Sequence, residues 1–109
     1  MEAETWTNEV LLTGRLSTAP HERELPSGDV MVQLRVVVPR PRTASKRVRV
    51  DTIDVACWTA RTRRSALRLE AGTPVQVTGA LRRRFFRAGA AAVSRYEVEA
   101  STVTKVASA

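Results

Sequence analysis

Apolar and polar residues alternate with a period of two over most of the chain, the repeat of a strand with one buried face. Val10, Leu12 and Leu16 alternate with Thr13 and Arg15, which predicts a first strand over about residues 6 to 17. Pro20 and the run Pro26-Ser27-Gly28-Asp29 punctuate the next connection, and the run carries a turn signal. The strictest alternation follows, in Val30, Val32, Leu34, Val36 and Val38, with Gln33 and Arg35 between them. Pro39 and Pro41 end this second strand, because proline cannot donate to a ladder. Residues 39 to 47 read as a basic hairpin loop, and a third strand is expected from about Val48 to Trp58. Thr59 to Ala71 is the one helix-like segment. Ala66, Leu67 and Leu69 are its apolar part, Arg61, Arg63, Arg64 and Arg68 its charged part, and Gly72 is placed to end it. Val75, Val77 and Leu81 mark a fourth strand to Arg84 or beyond, Ala88 to Ala92 a hairpin tip, and Tyr96, Val98 and Ala100 a last strand ending near Val106.

Three strands, one short helix and two strands is the connectivity of an all-β, five-stranded OB-fold barrel, with the helix between strands three and four. An SH3-like barrel also has five strands, but nothing in it favours a helix at that point. The chain has 109 residues, one domain's worth, and shows no repeat. The expected domain is 1–109, with a core over about residues 6 to 106 and a short flexible C-terminal end. A domain this small gains from association between copies.

The formal charge is +7, and only Lys46 and Lys105 of the 18 cationic side chains are lysine. Arginine grips phosphate with two parallel hydrogen bonds and stacks on bases, so this bias suits nucleic acid better than a generic basic surface would. The rest of the composition narrows the field. The single cysteine, Cys57, lies in an apolar run and is expected to be a small buried hydrophobe. The single histidine, His21, sits in a turn-like Pro/Glu stretch, and one Cys with one His makes no zinc site. No metal or cofactor is expected. Asp51 and Asp54 are three apart on a strand and face opposite ways, and Gly72 and Gly79 form no phosphate loop, so an enzyme is not expected. No apolar run is long enough to span a bilayer, and the charged start is no signal peptide, so the expected compartment is the cytoplasm.

Strand parity assigns faces. Ile53, Val55 and Cys57 should face the core, leaving Thr52, Asp54, Ala56 and Trp58 outward. Val75, Val77, Gly79 and Leu81 should face in, leaving Arg82, Arg84 and Phe86 outward, and Arg35 is outward by the same test. One outer face would then hold Trp58, Phe86, Arg82 and Arg84 together. Unstacked bases stack on aromatic rings while arginines neutralise the phosphates, each base contributing about 1–3 kcal/mol. Duplex DNA hides its base faces, so this pattern favours single strands. Trp58 is alternatively a packing residue at the strand–helix junction. Phe85 takes the core role opposite Phe86, and a one-residue slip would exchange them. Trp6 reads as an interface or edge-packing residue, Tyr96 as a packing residue, and the helix arginines as a solvated face unless they extend the electrostatic path.

At these residues the chain resembles the bacterial single-stranded-DNA-binding protein (SSB) family. The stretch Asn8-Glu9-Val10-Leu11-Leu12-Thr13-Gly14-Arg15-Leu16 is similar to its N-x-V-x-L-x-G-x-L opening. Pro20, Arg23 and Pro26-Ser27-Gly28 match its P-E-x-R-x-x-P-x-G pattern, Gly79 to Arg84 its G-x-L-R-x-R segment, and Arg95-Tyr96-Glu97-Val98 a shortened R-Y-x-x-E-V ending. The resemblance covers about residues 8 to 106. It implies an OB fold, a homotetramer ahead of a homodimer, and binding of single-stranded DNA with little sequence preference in replication, repair or recombination. It places Trp58 and Phe86 at base-stacking positions and Arg82 and Arg84 at basic ones.

The chain departs from the family at three further positions. Arg42 and Thr52 stand where the family has its other two stacking tryptophans, and Ile53 stands at its interface histidine. The sequence stops at Ala109 without the family's acidic tail, as a trimmed core or a short paralogue would, and tail-dependent protein partners are not expected. The expected DNA-binding set is Trp58 and Phe86 for stacking, Arg35, Arg42, Arg82 and Arg84 for phosphates, and Arg61, Arg63 and Arg64 for the wider path. The rival readings are an OB-type protein-interaction module and an RNA-binding accessory module, each with weak DNA binding.

Overall fold

The period-two segments all form strands. The computed structural model describes residues 4–41 and 48–107. In chain order the elements are β1 (Val10–Leu16), β2 (His21–Glu24), β3 (Val30–Pro39), β4 (Val50–Cys57), α1 (Ala60–Leu67), β5 (Pro74–Ala88) and β6 (Ala91–Lys105). The sheet order is β1-β5-β6-β4-β3-β2, and β1 also pairs with β3 at Arg15↔Val37 and Leu16↔Val36. That second pairing closes β1, β5, β6, β4 and β3 into a ring, the five-stranded OB barrel expected from the element order. Closure brings two backbones close. A Cβ at Gly14 would strike the Val37 carbonyl, which is why β1 carries glycine there.

Alternation fills the barrel. Leu16, Val32, Leu34, Val36, Val55, Cys57, Val75, Val77 and Val98 point into one buried cluster, and Ala66 of α1 joins it. Each buried aliphatic side chain stabilises the fold by about 1.5–3 kcal/mol. Thr59 caps α1 by accepting a hydrogen bond from the Thr62 amide at 3.1 Å. The helix stops at Leu67, four residues before the expected end. The chain there turns back, with the Leu69 amide donating to the Ala66 carbonyl at 3.1 Å, so that Leu69 reaches the core.

Other expectations are corrected. The first connection contains a strand, since β2 pairs with β3 from His21↔Gln33 to Glu24↔Val30, so His21 is in a strand and not a turn. The turn signal at Pro26–Asp29 holds, with the Leu25 amide donating to Asp29 at 2.8 Å. The first strand begins at Val10 and the last at Ala91, not at residue 6 or Tyr96. Ala56, outward by parity, is fully buried, because its longer neighbours Gln33 and Glu99 cover so small a side chain. Leu81, inward by parity, is exposed: β1 ends at Val10 opposite Gly79, so no β1 strand lies beside it.

Candidate nucleic-acid interface

Past Leu81, β5 and β6 run on as a two-stranded arm paired from Arg82↔Glu97 to Ala88↔Ala91. Gly89, at φ 64°, and Ala90 form its two-residue tip, the glycine supplying the positive φ that such a turn needs. The side chain of Asn8 stands in for β1 at the root of the arm. Its Nδ2 donates to the Leu81 carbonyl and its Oδ1 accepts from the Leu81 amide, both at 2.8 Å.

The register sorts the arm's side chains onto two faces. One face carries Arg82 opposite Glu97, Arg84 opposite Arg95, and Phe86 opposite Val93. Trp58, half-buried just after β4, meets this face through Arg84, whose guanidinium lies 4.8 Å from the indole centroid. Arg95 lies 5.5 Å from the Phe86 ring centre. Cation–ring contacts of this kind hold the rings upright beside positive charge. Together with β2 and β3, the face forms a groove of about 250 Å³ whose lining includes Arg23, Leu25, Met31, Arg84, Phe86 and Arg95. Met31 is buried yet stands outside the core cluster, and the Arg84 Nη1 lies 3.7 Å from its sulfur.

Carboxylates accompany the arginines. Arg84 pairs with Glu97 at 3.1 Å, Arg82 with Glu99 at 2.7 Å, and Arg35 with Asp54 at 3.4 Å. All three pairs join neighbouring strands on this outer face. They leave much of each guanidinium in solvent, where a phosphate can compete for it. Asp51 pairs instead with Arg40 at 2.7 Å, and that guanidinium holds its carboxyl below the usual value.

The predicted residues therefore separate. Trp58, Phe86, Arg82, Arg84 and Arg35 share one continuous sheet face; Phe86 and Arg84 line its groove, while Trp58 borders it. Arg61 and Arg64 are exposed on α1. Arg63 is tied down, its Nη1 donating to the carbonyls of Trp58 and, at 3.3 Å, Val30. It thus braces Trp58's backbone. Arg42 lies outside the described residues. Phe85 is not a core residue: it is 74% exposed, against 42% for Phe86, because it points away from the groove that Phe86 lines with β2 and β3. Tyr96 does not pack inward either and is 60% exposed. Trp6 is 83% exposed and packs on no edge of this chain. Arg23 and Arg95 were missed. Arg95 belongs to the groove only through the Arg84↔Arg95 register, which alternation alone does not reveal.

Residues 7–106 match the model of the single-strand binding protein family. The chain belongs to that family. Single-stranded DNA binding is accordingly its function. A Plasmodium falciparum SSB, solved in complex with single-stranded DNA, has the same fold: the TM-score is 0.79 at 16% identity, covering 97% of this chain and 100% of that one. No curated protein sequence gives a match. Among the described residues no cluster of three or more potential metal ligands comes together, and no helix is long and apolar enough to cross a membrane.

Proposed function

We propose that single-stranded DNA runs along the outer sheet face, with bases stacking on Phe86 and Trp58 and phosphates passing among Arg82, Arg84, Arg95 and Arg35. The observation that carries this reading is a pair of cation–ring contacts on one face, Arg84 against Trp58 and Arg95 against Phe86, with Arg84, Phe86 and Arg95 lining an open groove. Stacking accepts any base, and the guanidinium groups touch only the backbone, so the protein binds with little sequence preference. Arg61 and Arg64 widen the positive field along α1. The chain acts by binding, without turnover. It works as a homo-oligomer, a tetramer in preference to a dimer, in the cytoplasm on chromosomal DNA exposed during replication, repair or recombination. Family membership and the exposed Trp6 before β1 and Leu11 on it support the assembly.

A fluorescence titration with oligo-dT tests the stacking path. Trp6 is replaced by phenylalanine so that Trp58 supplies the signal. Saturable quenching is expected. An unchanged signal while the mobility shift persists would remove Trp58 from the path.

A further inference from the structure

The second face of the β5–β6 arm also carries aromatic rings and arginines, two of each. By register it carries Arg83 opposite Tyr96, Phe85 opposite Ser94 and Arg87 opposite Ala92. The Arg83 guanidinium lies 4.9 Å from the Phe85 ring centre and 5.6 Å from that of Tyr96, and its Nη2 donates to the Ser94 hydroxyl at 3.1 Å. So one cation lies against two rings, and both rings are more exposed than Phe86. Isolated water-facing aromatics are ordinary. Two of them held around an arginine on an arm clear of the core form a surface with no internal use.

We infer that this second face is an additional binding site for the same single strand, which therefore passes over the arm and touches both sides of it. This rests on the proposed path along the first face and extends it. Bases stack on Phe85 and Tyr96, and Arg83 and Arg87 receive the phosphates.

Charge selects this occupant over a second copy of the chain. On the first face Arg82 and Arg84 are matched by Glu99 and Glu97. No pair on the second face, from Arg83↔Tyr96 to Arg87↔Ala92, contains a carboxylate. A two-fold contact between copies over this face would set two arginine-bearing surfaces together with no carboxylate among these pairs to match them, whereas a polyanion neutralises them. The close fit of Arg83 to its rings also keeps its charge at the level of the bases' edges, where a backbone that follows stacked bases must pass.

The test compares oligo-dT of about 5 and about 15 nucleotides, near the limits of what one OB fold covers. The protein used is the full chain carrying Phe85→Ala and Tyr96→Ala. Both side chains are exposed, so folding is undisturbed; circular dichroism and mass confirm it. The short oligomer should bind as to wild type, and the long one at least about thirtyfold more weakly. In the wild-type chain, bromodeoxyuridine in the long oligomer should crosslink to the peptide containing Tyr96. Unchanged affinity for the long oligomer, or a smaller assembly mass in the variant, would overturn the inference, the latter by showing that the face packs on another copy. Phe86→Ala in parallel separates the two ideas, since loss of binding there with none in the double variant leaves the first-face path standing.

Discussion

Nη1 of Arg84 lies 3.1 Å from Oε1 of Glu97, a carboxylate that is itself almost fully covered. The groove's central cation is thus already engaged before any DNA arrives. An incoming phosphate must share Arg84 with a fixed negative charge on the next strand. Two like charges about 4 Å apart cost roughly 1 kcal/mol even at water's dielectric constant. Glu97→Gln keeps an acceptor for Arg84 and removes the repulsion, so affinity for oligo-dT at low salt should rise roughly fivefold. Equilibrium titration measures it; weaker binding by the variant would show that Glu97 acts mainly by orienting Arg84.

Stacking and charge respond differently to salt. Phe86→Ala should cost about 1–3 kcal/mol of binding free energy and leave the slope of log K against log salt unchanged. Arg84→Ala should weaken binding and flatten that slope by about 0.7, the value for one phosphate on a single strand. Titrations at several salt concentrations separate the two. A changed slope for Phe86→Ala would place the ring in a role other than stacking.

Gly14 sits where β1 meets β3, against the Val37 carbonyl. A methyl group there must push the closing strands apart. Gly14→Ala should lower stability by about 1–3 kcal/mol, the usual cost of overpacking, read as a lower urea midpoint. An unaltered midpoint would mean that the barrel closes with slack.

Burial pushes the Cys57 thiol up from 9.0 to about 12. The folded state therefore keeps its proton where the unfolded chain has lost it. Stability from this site is complete below about pH 9 and falls as pH rises from about 9 to about 12. Urea midpoints should drop across that window, and drop less in Cys57→Ala. In native protein at neutral pH the thiol should resist thiol-specific reagents until denaturant is added.

Alternation carried most of this fold into view, because Val32, Leu34, Val36, Val55, Val75 and Val77 each needed a water-free side. It also placed Arg82, Arg84 and Phe86 on one face. It misled where the sheet stops being two-layered. Phe85 and Leu81 obey parity, but parity gives a side and not what covers it. The strand β2 was hidden because His-Glu-Arg-Glu has no apolar alternation, and only pairing with β3 makes it a strand. Arg95 and Arg23 were invisible for a related reason, since their membership of the groove depends on cross-strand register.

Asn8 has a wider effect than its two hydrogen bonds suggest. By supplying the donor and acceptor that an absent strand would have offered to Leu81, it welds the root of the arm to the chain's first segment. Both backbone groups of Leu81 are thereby paired at the edge that β1 has already left, just before the stretch that bears Arg82, Arg84 and Phe86.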